Sequence, residues 1–307
     1  MTALIRRVAA VAVVAIAVGA CSSTSVLATV NGTDITRDQL NGLRPSYSEA
    51  SSLDAEQVRQ DLTRLIVAQA ARDAAQERFG VTITDAEIAD RIANPPARYA
   101  AVIGPADQFE DTSDEAIRIS AIQSLIRDAV VPRLVDDDAG GFAALLADRP
   151  EEVSRMCVRH ISTATVEEAE DVLARLDAGE DFVAVAAEVS TDQASPEGLI
   201  VDGEGNCLLW MTRAGIEFAN LAATTPLDDP VGPIEASNEW NIIRVEDRVV
   251  PTAAEYQAAP MEYLDPDYAS SLYTQWFNDV VREADVTVSA TVGRWSDAGV
   301  GIAPPGE

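Results

Sequence analysis

The chain has 307 residues, of which 22 are basic and 51 acidic, for a formal net charge of −29. Nothing so acidic displaces phosphate counterions, so nucleic acid is excluded as a partner. One histidine and three cysteines leave no zinc set, and no P-loop, dinucleotide fingerprint or Gly-x-Ser-x-Gly elbow occurs, so neither metal nor cofactor is expected.

Arg6-Arg7, the apolar run over residues 8–18 and the small residues Gly19-Ala20 have the zones of a secretory signal over residues 1–20. That run is too short to span a bilayer comfortably. Val18-Gly19-Ala20-Cys21 also resembles a bacterial lipobox, which implies cleavage before Cys21 and a lipid on its sulfur; an ordinary signal beside a cysteine is the alternative. Residues 21–25 read as a Ser/Thr-rich tether.

Residues 26–35 read as a hairpin turning at Asn31-Gly32, a pair that supplies two positive-φ positions. Thr36 and Gln39 form a capping box that opens a short helix through Leu40. The segment Val30-Asn31-Gly32-Thr33-Asp34-Ile35-Thr36 is similar to the opening of SurA-like and PrsA-like export chaperones. From Asp54 an amphipathic helix carries Val58, Leu62, Leu65, Ile66 and Ala70 to Phe79 and stops at Gly80. Thr84 and Glu87 cap a helix bearing Ile88 and Ile92, which Asn94-Pro95-Pro96 breaks. Another begins at residues 112–115 and carries Ile119, Ile122, Ile126 and Val130. Such apolar stripes are core rather than ligand sites. Asp136-Asp137-Asp138 lacks the alternating oxygen ligands of a calcium loop, so it reads as a solvated linker or a helix end.

After a connector over residues 142–150, Val158 and Ile161 suit a short strand holding His160. Thr165 and Glu168 make a further capping box, followed by Ala169, Val172, Leu173 and Leu176 at helical spacing up to Gly179. Phe182, Val185, Ala186 and Val189 share one face of a second helix that halts at Ser190-Thr191-Asp192. Beyond Arg248, Thr252 and Glu255 open a helix; Tyr273, Trp276, Phe277 and Val280 form a late apolar stripe, and Val286-Thr287-Val288 alternates like a strand.

Taken in order, His160, Glu168-Ala169-Glu170, Leu176 to Phe182, Ser190-Thr191-Asp192, Glu217-Phe218, Val231-Gly232-Pro233 and Ile242 to Arg248 resemble a parvulin-type peptidyl-prolyl isomerase domain of about a hundred residues. The resemblance implies an α+β fold: a helical chaperone-like domain built from N- and C-terminal segments, with an inserted parvulin-like domain whose small antiparallel sheet is flanked by helices. The implied organisation is residues 26–150 for the N-terminal helical part, 151–250 for the parvulin-like domain, 251–296 for a helix and strand returning to the N-terminal part, and 297–307 for a disordered tail. It also brings Cys157 near Cys207 across the sheet, leaving either a disulfide or two buried thiols.

By the same resemblance His160 and Asp192 match catalytic positions, and Phe218 matches the floor of the proline pocket. The family's second histidine falls on Asn241, its pocket methionine on Ala214, its threonine on Ala236 and the glycine before an aromatic, here Trp240, on Glu239. Asn241 therefore stands as a third catalytic candidate, with Trp240 and Ala214 beside Phe218 at the substrate. The family's glycine-rich turn is altered to Gly203-Glu204-Gly205-Asn206-Cys207. A histidine hydrogen-bonded in the core is the alternative for His160. The expected partners are newly exported polypeptides with X-Pro bonds, and the membrane through Cys21. The activities that fit are a lipid-anchored, extracytoplasmic folding factor with isomerase activity, or a holdase or scaffold without it. A solute-binding lipoprotein would need two similar lobes, which the sequence lacks.

Overall fold

The computed structural model describes residues 25–43, 54–105, 108–109, 112–195, 197–212, 215, 217–296 and 301–306. The signal segment, Cys21 and Ala214 lie outside them. The fold mixes helices with small antiparallel sheets. Asn31 (φ 48°) and Gly32 (φ 83°) turn the chain between β1 (Val26–Val30) and β2 (Thr33–Thr36), because paired positive φ values match the twist of the strands. The Thr36 amide donates to Gln39 Oε1 at 2.8 Å and starts α1 (Arg37–Leu43), one turn longer than the spacing predicts.

Asp54 caps α2 (Ala55–Phe79) through the Glu56 amide, and Gly80, at φ 67°, ends it in the left-handed conformation. Thr84 and Glu87 complete both halves of the box that opens α3 (Asp85–Ala93). The next helix, α4 (Asp114–Ala139), runs through Pro132 and includes Asp136, Asp137 and Asp138 in its last turn, so this acidic run is a helix end. Carboxylates there oppose the helix dipole. Arg78 and Arg149 offset this, meeting Asp137 at 2.6 Å and Asp138 at 2.5 Å. Residues 142–148 are not a bare connector but a helix, α5 (Phe142–Asp148), anchored by the buried Leu145.

The following strand, β3 (Arg155–Thr163), leads into α6 (Val166–Asp177), α7 (Phe182–Val189), α8 (Ala219–Thr224), β4 (Val231–Ala236) and β5 (Glu239–Val249). These strands form an antiparallel sheet in the order β3-β5-β4. One face, with Ile161 and Ile242, packs on α6 and α7; the other, with Met156, Val158, Ile243 and Val245, packs with residues of α8. A bulge between Cys157 and Val158 accounts for the imperfect alternation of β3.

The chain then forms α9 (Ala253–Ala258), α10 (Pro266–Glu283) and β6 (Val286–Val288). The last of these pairs with β1, Val30 opposite Val286 and Ala28 opposite Val288, so segments from near both ends of the chain share a sheet. Part of the expected disordered tail is ordered: β7 (Arg294–Trp295) pairs with β8 (Ile302–Ala303). Trp295 and Ile302 give it a reason to be, since both pack on the cluster formed by β1, β2, α1 and α2.

Candidate functional site

The register of β3 on β5 puts Ser162 opposite Asn241 and His160 opposite Ile243. Since side chains alternate, His160 and Ser162 share the face of Val158, and Asn241 shares that of Ile243. Both belong to the face away from α6 and α7. The Asn241 oxygen lies 3.3 Å from His160 Nδ1, and it accepts from the Ser162 hydroxyl at 2.7 Å. On the far side of the ring, Nε2 lies 2.8 Å from Asp192 Oδ2.

The loop after α7 brings Asp192 to this position. Ser190 Oγ accepts from the amides of Ser162 and Asp192 at 3.2 and 3.3 Å, and the Thr191 amide donates to the Ser162 carbonyl at 2.8 Å. Thr191 also donates to Glu239 at 3.1 Å, fastening the loop to the start of β5. The loop is thus bonded to both strands that carry the imidazole and the amide.

A carboxylate can only accept, so the hydrogen of the Asp192 bond sits on Nε2. Asn241 presents its oxygen to the ring and to the Ser162 hydroxyl, while its nitrogen donates to the Glu239 carbonyl at 3.5 Å. The imidazole is therefore flanked by oxygen on both sides. Burial pushes the Asp192 carboxyl up, but the His160 bond, the Ala194 amide and the charge of His160 outweigh it and hold the carboxyl below its usual range. Because the folded value is the lower one, the stability from this contact is complete above the ordinary carboxylate value of about 3.9 and is lost as pH falls through the folded value. Asp192→Asn is expected to cost about 1 kcal/mol at neutral pH, with the gap to the parent closing on acidification, as read from urea midpoints across a pH series. A gap that stayed constant with pH would dissolve the link between Asp192 and the ring.

Phe218 lies at the start of α8, only 5% exposed, in a cluster with Met156, Val158, Met211 and Ala236. This is the sheet face that carries His160. A buried methionine, Met211, therefore stands in the Phe218 cluster three positions before Ala214. Trp240 is not brought to the group: its one-residue offset from Asn241 turns it to the opposite face, against Ile161 and Ile242.

Two glycines permit the close approaches on which the site depends. Gly198 (φ 76°) lies so near β3 that a Cβ there would run into the His160 carbonyl, and its own carbonyl accepts from the His160 amide at 2.8 Å. At Gly232 a Cβ would stand 2.7 Å from the Asn241 carbonyl. The segment beginning at Gly198 continues along the outer edge of β3, with mutual bonds between Met156 and Leu209, and a Cys157–Cys207 disulfide closes it. Its altered turn is held by Asp202, which accepts from the amides of Glu204 and Asn206, each at 2.9 Å. The Asn206 side chain, donating at 3.0 Å, does most to hold the Asp202 carboxyl below its usual range, with the backbone amides adding to it.

No model of a known family matches this chain. It is 23% identical over 186 residues to a parvulin-like PPIase of Rickettsia bellii, and 22% identical over 188 residues to one of Rickettsia prowazekii. Each match covers 59% of this chain and 62% of the relative, so the alignment spans less than two thirds of those proteins. Among solved structures, a PrsA peptidylprolyl isomerase from Bacillus anthracis is 16% identical with a TM-score of 0.39, covering 70% of this chain and 96% of that one. A SurA-like chaperone of Campylobacter jejuni is 10% identical with a TM-score of 0.27, covering 86% and 99%. By sequence, then, this chain is similar to parvulin-like peptidyl-prolyl isomerases over somewhat more than half of its length.

Proposed function

We propose that the chain is an extracytoplasmic protein-folding factor whose β3-β5-β4 region acts as a peptidyl-prolyl cis-trans isomerase on unfolded polypeptides. The observation that carries this is the sole histidine, bonded through both ring nitrogens on the sheet face that also holds Phe218 and Met211. Rotation about an X-Pro bond crosses a barrier of about 20 kcal/mol and breaks no covalent bond. Catalysis then requires only that the twisted amide be held better than the planar one. In this reading Phe218 takes the proline ring, while His160, fixed by Asp192 and Asn241, sets the polarity beside the turning amide. Residues 26–150 and 251–296 form the helical body and residues 151–250 the inserted catalytic unit; the pairing of β1 with β6 supports that division. The lipobox-like sequence supports attachment to the membrane through a lipid on Cys21.

A second reading, a holdase with a parvulin-like fold but no catalysis, draws on one observation: the chain's own side chains enclose Phe218 and Asn241, 5% and 4% exposed. Isomerisation of an Ala-Pro peptide, followed by NMR exchange or a protease-coupled assay, separates the two. Phe218→Ala is expected to lower kcat/KM at least tenfold, and His160→Ala by a smaller factor, corresponding to about 1.4 kcal/mol or more for the first. Catalysis indifferent to both substitutions would discard the site. An inert parent that still suppresses aggregation of an unfolded client would leave the holdase.

A further inference from the structure

Away from the histidine, a cavity of about 380 Å³ lies between the turn at Ala97–Tyr99, α4 and α10. Tyr99, Val102, Ile103, Tyr273 and Phe277 make it apolar, with the last two rings stacked at 5.9 Å, and Val102 is 56% exposed. Arg127 stands in the same wall, its guanidinium 5.6 Å from the centre of the Tyr273 ring.

That arginine differs from its neighbours. Arg91 and Arg98 both pair with Asp128, at 2.9 and 3.0 Å, and Arg98 reaches Glu262 at 2.5 Å. The side chain of Arg127 has no carboxylate within ion-pair range among the described residues, and its Nε is shut off from solvent without a hydrogen-bond partner. Leaving such a donor unmet is unfavourable, and in a chain of net charge −29 acidic partners are abundant. The neighbourhood so holds three guanidiniums against two carboxylates. Its volume, at the low end for ligand clefts, fits one or two side chains rather than the face of a folded protein.

We propose that this cavity binds an unfolded polypeptide segment in which a large apolar side chain stands beside an aspartate or glutamate. The apolar side chain seats on Tyr99, Tyr273 and Phe277, and the carboxylate meets Arg127. The proposal rests on the folding-factor reading and adds the client sequence that this site selects. Elsewhere the acidic surface repels such a segment, so a guanidinium without a carboxylate partner beside an apolar cleft sets where it docks.

Fluorescence anisotropy with the full chain and labelled Gly-Ser-Leu-Glu-Leu-Ser-Gly, alongside its Glu→Gln counterpart, tests this. The Glu peptide is expected to bind about tenfold more tightly than the Gln peptide at low salt. Arg127→Gln should erase that preference, and Val102→Asp should weaken both peptides. Equal binding of the two peptides by the parent, or a preference kept in Arg127→Gln, overturns the proposal. Should Arg127→Gln not fold, the parent's preference and Val102→Asp still decide. Sedimentation showing a dimer that Arg127→Gln converts to monomer would give the cavity to a second copy and also end the proposal. If the parent suppresses client aggregation yet shows no Glu preference, only the site fails; if it neither binds peptide nor suppresses aggregation, the underlying reading fails with it.

Discussion

Reducing the Cys157–Cys207 disulfide is expected to lower the stability of the sheet region by about 4 kcal/mol, the loop-entropy value for a cross-link spanning about 50 residues. The closed loop contains all of α6 and α7 and the residues that bring Asp192 to the ring. Releasing it frees the segment along the outer edge of β3, so the unfolded chain gains entropy while the strand edge loses its cover. The measurement is urea unfolding with and without reductant, followed by fluorescence of Trp210 and Trp240, and repeated on Cys157→Ser. Hydrogen exchange at the His160 amide, which donates to Gly198, should quicken in parallel. An unchanged urea midpoint would mean that the cross-link does not secure this edge.

Gly198→Ala should be nearly as damaging, at about 3 kcal/mol, from two costs that a single methyl group incurs together. At φ 76° any other residue is strained, and the new Cβ is driven into the His160 carbonyl. Relief requires the strand to move away, which misplaces the imidazole, so the proposed isomerase activity should fall even under conditions where the variant stays folded. Gly203→Ala is the matched control: a Cβ there meets nothing within 4 Å, and a change within about 0.5 kcal/mol is expected. If the two alanine variants unfold at the same midpoint, the tight approach at Gly198 has no energetic weight.

What could be read from the amino-acid order follows a physical division. Capping boxes at Thr84, Thr165 and Thr252 are legible because both halves lie within four residues of each other. The hairpin at Asn31-Gly32 is legible for the same reason. The helix α5 escaped because its start at Gly141 offers no side-chain cap. Within the site, His160, Asp192 and Asn241 stand out by resemblance, and Ser190 and Thr191 belong to the matching run, but that they fasten the loop to Ser162 and Glu239 is not legible before the strand register is known. Trp240 shows the same limit from the other side: adjacency to Asn241 along the chain places it across the sheet from Asn241, because consecutive strand residues face opposite ways. Gly198 carried a signal only in hindsight, as a glycine in a polar loop whose reason lies 38 positions earlier in the chain, in His160.

The pairing of β1 with β6 also bears on the order in which the molecule can be completed. In chain order all three strands of the sheet holding His160 are available once Val249 is, and their contacts are comparatively local. β1, by contrast, can close a hairpin with β2 early but keeps an open edge until Val288 arrives. Emergence in chain order therefore allows the middle of the protein to be completed before β1 is, and β1 spends that interval as an unzipped border, the state in which a strand is most prone to adhere to the wrong neighbour.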